Sequence, residues 1–230
     1  MLPPTWGDGC GAEEIEDGWD IQDADVLIVD SDPVYGPGPH AVQGGGCGDK
    51  GERITIQTKF LTNYSHRDDV LKGKFFAKEW VKYKFGVFDE FGFPNDLLYL
   101  NKFNYEGEIL PTGTANSKVM GTWVSFNGVS CDPSKHNCLF LPLQSNPSIT
   151  CSLGNLFFLP NVHTWCRPNL ALGPEGPTKQ KVICTGRTTM EIISNHEEFV
   201  QLSSKIYLDE HSQNKHFKVS FDNKHRLIVS

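Results

Sequence analysis

Apolar positions along the chain come in short bursts divided by Gly, Pro, Asn and Asp, the pattern of an α/β domain built from small elements. Asp25-Val26-Leu27-Ile28-Val29-Asp30 is a continuous apolar run closed by Asp-Ser-Asp-Pro, and it predicts a buried strand entering a turn. A Gly- and Pro-rich loop should fill 32–51. Arg53-Ile54-Thr55-Ile56-Gln57 then alternates apolar and polar, as a half-buried strand does. Residues 67–85 read as a helix, with Asp68 and Asp69 at its positive end, lysines toward its negative end and Gly86 placed to stop it. Leu71, Phe75, Lys78 and Lys82 share one stripe of that helix, which should face inward.

Beyond it, 101–155 predicts short strands and turns. The apolar stretch 155–165 suits a helix that Pro160 would kink or end. Residues 167–181 carry Pro168, Pro174 and Pro177 and read as a linker or surface loop. Thr188 to Leu202 is a second helix candidate with Met190, Ile193 and Phe199 on its apolar side. Leu227-Ile228-Val229 begins a strand with no evident partner.

The chain has 230 residues, 38% of them hydrophobic, enough for one domain with a full core. A net charge of −7 argues against nucleic acid as a partner, which calls for a basic stripe. Ten carboxylates and no Lys or Arg fall within 1–35, so 1–23 reads as a solvated acidic segment. No run approaches the roughly 18 apolar residues of a membrane span. Met1 to Trp6 have neither the basic nor the apolar region of a signal peptide.

The most informative stretch is Lys78-Glu79-Trp80-Val81-Lys82. It keeps the frame of H-E-x-x-H, in which two histidines one helical turn apart bind zinc and the glutamate is the general base. Here Glu79 survives, while lysines stand at both ligand positions. A protonated lysine has no lone pair to offer a metal. Two readings follow for the amines: one pairs with Asp89 or Glu79 in place of a lost cation, or both reach water along their stems. No two of the eight histidines stand four residues apart. Gly46-Cys47-Gly48-Asp49-Lys50-Gly51 matches G-x-G-x-x-G by letter. It precedes a strand instead of joining strand to helix, so it reads as a turn tethered through Cys47 and not as a dinucleotide loop. Cys131 and Cys138 suit a local disulfide or a piece of a zinc knuckle. Seven cysteines leave at least one unpaired within the chain. Asn63-Tyr64-Ser65 is a glycosylation sequon.

Asp25 to Asp30, the 44–52 loop, Phe85-Gly86-Val87-Phe88-Asp89-Glu90 and 184–199 together resemble the N-terminal domain of the calcium-activated chloride channel regulator (CLCA) family. The resemblance implies a secreted or surface protein with a zincin-like α/β domain: a mixed sheet, an active-site helix, and a loop-rich, disulfide-containing C-terminal part. It implies a self-cleaving metalloprotease followed by a von Willebrand factor type A domain. Carried over, the ligand positions are Lys78, Lys82 and Asp89, the base is Glu79, and Glu90 is their neighbour. Two of three ligands depart from the pattern, so the expectation is a pseudoenzyme without zinc, whose remnant base is Glu79.

The implied domains are 24–202, short of its opening strand and helix, and 203–230, a linker with the first strand of a truncated type A domain. Cys47, Cys131, Cys138, Cys151, Cys166 and Cys184 are the disulfide candidates. The implied partner is a protein, an anion channel or an extracellular matrix component. The alternative is an active self-cleaving zinc peptidase that recruits Glu79, Asp89 and Glu90 with a distant histidine.

Overall fold

A parallel pairing of β1 (Val26–Val29) with β3 (Arg53–Gln57) organises the first part of the chain, with β2 (His40–Val42) antiparallel on the other side of β3. The computed structural model describes residues 24–32, 34–62 and 69–200, and the backbone of 219–221 and 227–229. The acidic segment 1–23, Cys10, Asn63 and most of 203–230 therefore lie outside the described residues. So do the first two residues of the expected 67–85 helix.

The sheet order β1-β3-β2 revises three expectations. Among the described residues the strand at Asp25–Asp30 is an edge, not a buried strand: β3 borders it on one side, and Ile28 is 57% exposed. Arg53–Gln57 is the central strand and is buried on both faces, Thr55 and Gln57 included. The expected loop 32–51 contains β2, whose short pairing its composition concealed.

Two helices follow, α1 (Thr58–Thr62) and α2 (Asp69–Phe85). α2 has no single apolar face. Tyr83 and Phe76 pack with Ile54 and Ile56 of the sheet. Val81 and Phe85 join Val87, Phe88, Cys184, Ile192 and Ile193 in a second core cluster. Of the predicted stripe, Leu71 is exposed while Phe75, Lys78 and Lys82 turn inward.

Residues 101–155 hold the short strands expected of them. β4 (Lys102–Tyr105) pairs with β5 (Glu108–Pro111), and β6 (Gly121–Val124) with β7 (Leu139–Pro142), each antiparallel. Lys102 ties the two hairpins together, donating to the carbonyls of Pro133 and His136 at 2.5 and 2.6 Å. The stretch 155–165 is not a helix. A short α3 (Leu153–Leu156) reaches only its first two residues, and turns and a bend occupy 157–161, with Leu156, Leu159 and Val162 in a third core cluster. α4 (Lys179–Ile183) interrupts the end of the expected linker, and Thr178 just before it is buried.

The second helix candidate is shorter than its pattern. α5 (Thr189–Ser194) starts in a reciprocal cap, with Thr188 accepting from the Glu191 amide while Glu191 accepts from the Thr188 amide. It stops at Asn195, and Ile192 with Ile193, not Phe199, are its buried apolar residues. β9 (Leu227–Val229) does have a partner, pairing antiparallel with β8 (Val219–Phe221). The whole is a mixed α/β structure of small sheets.

Three disulfides join described residues: Cys47–Cys184, Cys131–Cys138 and Cys151–Cys166. They use all six candidates and settle Cys131–Cys138 as a local disulfide. Cys47–Cys184 spans 137 residues of sequence and fixes the Gly-rich loop to the end of α4. In the chain-entropy view a closure of that length contributes roughly 5 kcal/mol.

Gly86 closes α2 in the left-handed region at φ 61°, its N–H donating to Lys82 O at 3.2 Å. Its carbonyl accepts from Gly48 N–H at 3.0 Å, and a Cβ there would overlap the Asp49 backbone. Gly86→Ala should therefore destabilise the protein by more than about 2 kcal/mol. Gly73→Ala is the contrast, since a Cβ in mid-α2 meets nothing within 4 Å and should stabilise by about 0.5–1 kcal/mol. Urea denaturation of the two variants checks the opposite signs.

Candidate functional site

One helical turn separates Lys78 from Lys82, so both ammoniums emerge on the same side of α2. The chain leaves α2 through the left-handed Gly86 and doubles back to bring Asp89 against them. Gln180 holds that return segment in place: its side-chain carbonyl accepts from Phe88 N–H at 2.7 Å and its own N–H donates to Asp89 O at 3.2 Å. Thr114 N–H donates to Glu90 O at 2.9 Å on the other side.

The result is a closed cage of four charges. Lys78 Nζ lies 3.0 Å from Glu79 Oε1 and 3.1 Å from Asp89 Oδ1. Lys82 Nζ lies 3.1 Å from Glu79 Oε2 and 3.1 Å from Asp89 Oδ2. The four side chains are between 3% and 15% exposed. The amines therefore pair, and the reading in which they reach water is set aside. Ala41 N–H of β2 donates to Glu79 Oε2 at 2.9 Å, which ties the cage to the sheet. The Lys78 ammonium also sits 4.9 Å from the ring centre of Phe91 and 5.7 Å from those of Phe75 and Phe157.

The cage is neutral, and its fields reinforce one another. Burial alone would lower the Lys82 pKa, but Asp89 and Glu79 outweigh it and hold it above its ordinary value. Burial alone would raise Asp89, yet Lys82 and Lys78 keep it below the usual carboxylate range. Every carboxylate oxygen of the cage faces a lysine nitrogen. These donors do not fit a zinc ion. Among the described residues no group of three or more His, Cys, Asp or Glu is placed to hold a metal.

Glu90 does not join the cage. Its carboxyl is buried against Gly154, with Oε1 accepting from the Thr189 hydroxyl at 2.7 Å and Oε2 lacking a partner. Burial pushes its pKa up to about 7, with smaller contributions from Glu175 and Asp89.

Sequence reasoning passed over three groups here. His40 of β2 stacks on Tyr35 and stands 3.6 Å from Asp32, close enough to feel Glu79 and Lys82; burial lowers its pKa. Gln180 and Thr189 act through Asp89 and Glu90. A lone His, Gln or Thr in a short strand or helix carries no spacing signal. Only the Thr188-x-x-Glu191 cap pattern could have marked where Thr189 sits.

Comparison with known proteins gives the family. The chain belongs to the family described as calcium-activated chloride channel N terminal, whose model matches residues 1–206. Calcium-activated chloride channel regulator 2 of Mus musculus is 29% identical over 207 residues, covering 84% of this chain and 20% of that protein. Regulator 1 of Homo sapiens is 28% identical over 209 residues, covering 86% and 22%. The chain thus spans about a fifth of the length of these curated relatives. No solved structure matches it. Among the described residues no helix is long and apolar enough to cross a membrane.

Two expectations follow from the cage and its neighbour. Asp89→Ala leaves two buried ammoniums sharing one carboxylate and should cost about 3–5 kcal/mol. The pair Lys82→Met with Asp89→Leu removes one charge of each sign and should cost less than Asp89→Ala alone, in a double-mutant cycle by chemical denaturation. Glu90 holds its proton in the folded state above the unfolded value of 4.5, so stability is full below that pH and falls as pH rises toward about 7. Glu90→Gln keeps the acceptor for Thr189 and removes the ionisation. Its unfolding free energy in urea should exceed the parent's at pH 8 by a margin on the order of 3 kcal/mol, which shrinks toward pH 5.

Proposed function

We propose that this domain is a metal-free, catalytically silent counterpart of a zinc-peptidase domain, serving a chloride channel regulator as a binding or scaffolding module. The observation that carries the reading is the cage. Zinc supplies lone-pair acceptance and an activated water in such enzymes. Here two protonated amines occupy the ligand positions, and their charge replaces that of the cation. Glu79, which would otherwise act on a metal-bound water, is committed to two ammoniums and the Ala41 amide.

The helix with its mixed sheet, the Gly86 break and the returning Asp89 support a zincin-like ancestry for 24–202, with 203–230 leading into a type A domain. Three disulfides suit an extracellular or cell-surface setting, in which Asn63 would carry a glycan. The names of the relatives support a protein partner, an anion channel; a matrix component is the other partner of the same class.

Elemental analysis after dialysis tests this reading. The purified protein should retain zinc far below stoichiometric amounts. Restoring the imidazoles, as Lys78→His with Lys82→His, should give stoichiometric zinc that is lost again on adding Asp89→Ala. Stoichiometric zinc in the unmodified chain, removed by Asp89→Ala, overturns the proposal in favour of a working peptidase with substituted ligands.

A further inference from the structure

Two turns at one end of the domain hold large apolar side chains out in solvent. In the first, Leu97 is 92% and Leu98 76% exposed. Phe93 N–H donates to Tyr99 O at 2.7 Å across this turn, and Asp96 Oδ1 accepts from the Leu98 and Tyr99 amides at 2.8 and 2.9 Å. In the second, Phe126 is 64% and Val129 61% exposed. There Ser125 N–H donates to Val129 O at 2.7 Å and Gly128 N–H to Ser125 O at 2.9 Å. The disulfide-closed loop 131–138 joins the two turns. On one side Asn137 donates to Asn95; on the other Val124, just before the second turn, bridges Ser130 and pairs with Leu139.

The apolar surface continues along the β6–β7 hairpin. Thr122 opposes Leu141, and Leu143 N–H donates to Met120 O at 2.8 Å, so Met120, Leu141 and Leu143 share one face with Val124 and Leu139. Met120, Leu141 and Leu143 are about half exposed. No Asp, Glu, Lys or Arg occurs in 119–131 or 136–151. Asp96 is the one charge in 91–101, and it is turned onto its own backbone.

These features select an occupant. Side chains this exposed are convex, and a protein partner would have to bring a pocket for each. Protein docking sites also rest on Trp, Tyr and Arg anchors, whereas the large exposed side chains here are Leu, Phe, Val and Met. A lipid interface asks only for apolar side chains on turns whose amides are satisfied within the chain. The absence of charge on this surface, in a chain of net charge −7, favours zwitterionic over anionic lipid. We infer that both turns insert shallowly into a zwitterionic phospholipid surface through Leu97, Leu98, Phe126 and Val129, with the outer face of the β6–β7 hairpin extending the contact. The inference does not rest on the lysine pair, so it stands or falls apart from the zinc measurement.

Flotation of the disulfide-intact protein with phosphatidylcholine vesicles tests it. Binding should be saturable and unchanged when salt is raised about tenfold, since no ion pair holds it. Leu97→Asp with Leu98→Asp, and separately Phe126→Asp, should each weaken binding about tenfold or more while the urea midpoint stays in place. Val70→Asp, at an exposed apolar position of α2, should leave binding unchanged. Phe126→Trp should add emission that shifts to the blue with vesicles, relative to the parent. No flotation of the parent, binding that needs anionic lipid or falls with salt, or an equal loss in Val70→Asp overturns the inference. So does a dimer of the parent that the turn variants abolish while vesicles bind neither, which assigns the surface to a second copy of the chain.

Discussion

Everything near the centre of this domain depends on neutralising two ammoniums that a single helix carries inward. A buried charge without a partner costs several kcal/mol, comparable with the net stability of a whole domain. Asp89 cannot be chosen independently of Lys78 and Lys82, nor can the path that delivers it. Gly86 must be free to turn left-handed, the Gly-rich loop must seat against it, and Gln180 must grip the backbone on either side of Asp89. The apparent ornament of a loop, a glycine and a glutamine is the support of one ion cluster.

The same constraint explains the unusual surroundings of α2. A helix usually lays one apolar stripe on a core. This one is surrounded in its second half: by the sheet through Tyr83, by α5 through Val81 and Phe85, and by the ion cluster through Lys78 and Lys82. Glu79 is nearly inaccessible and still ionically satisfied, because its two oxygens face different lysines and one also meets the β2 backbone. Next to this ion cluster sits Glu90, which burial pushes toward its protonated form and which keeps one oxygen unpartnered.

How much the sequence disclosed follows from what each signal measures. Residue spacing on a helix is rigid, so the co-facial lysines and the glycine stop were legible, and with them the likeness to the family. Cysteine positions were legible as candidates, but long-range pairing such as Cys47 with Cys184 depends on tertiary approach. Burial of strands was misread in both directions. A run of four apolar residues looks the same at an edge as at a centre, and the alternation in Arg53–Gln57 hides a strand flanked by β1 and β2 and buried on both faces. β2 was lost within a Gly- and Pro-rich stretch because three paired residues are too few to show a period.

The Cys47–Cys184 bond encloses both hairpins, α2, α3 and the two smaller disulfide loops within one covalent ring. A single backbone cut anywhere inside that ring opens it without releasing a piece. Cleaved and intact chains would then migrate as the same mass until a reductant is added, so a cut at any exposed turn of the ring is a change of topology before it is a change of composition.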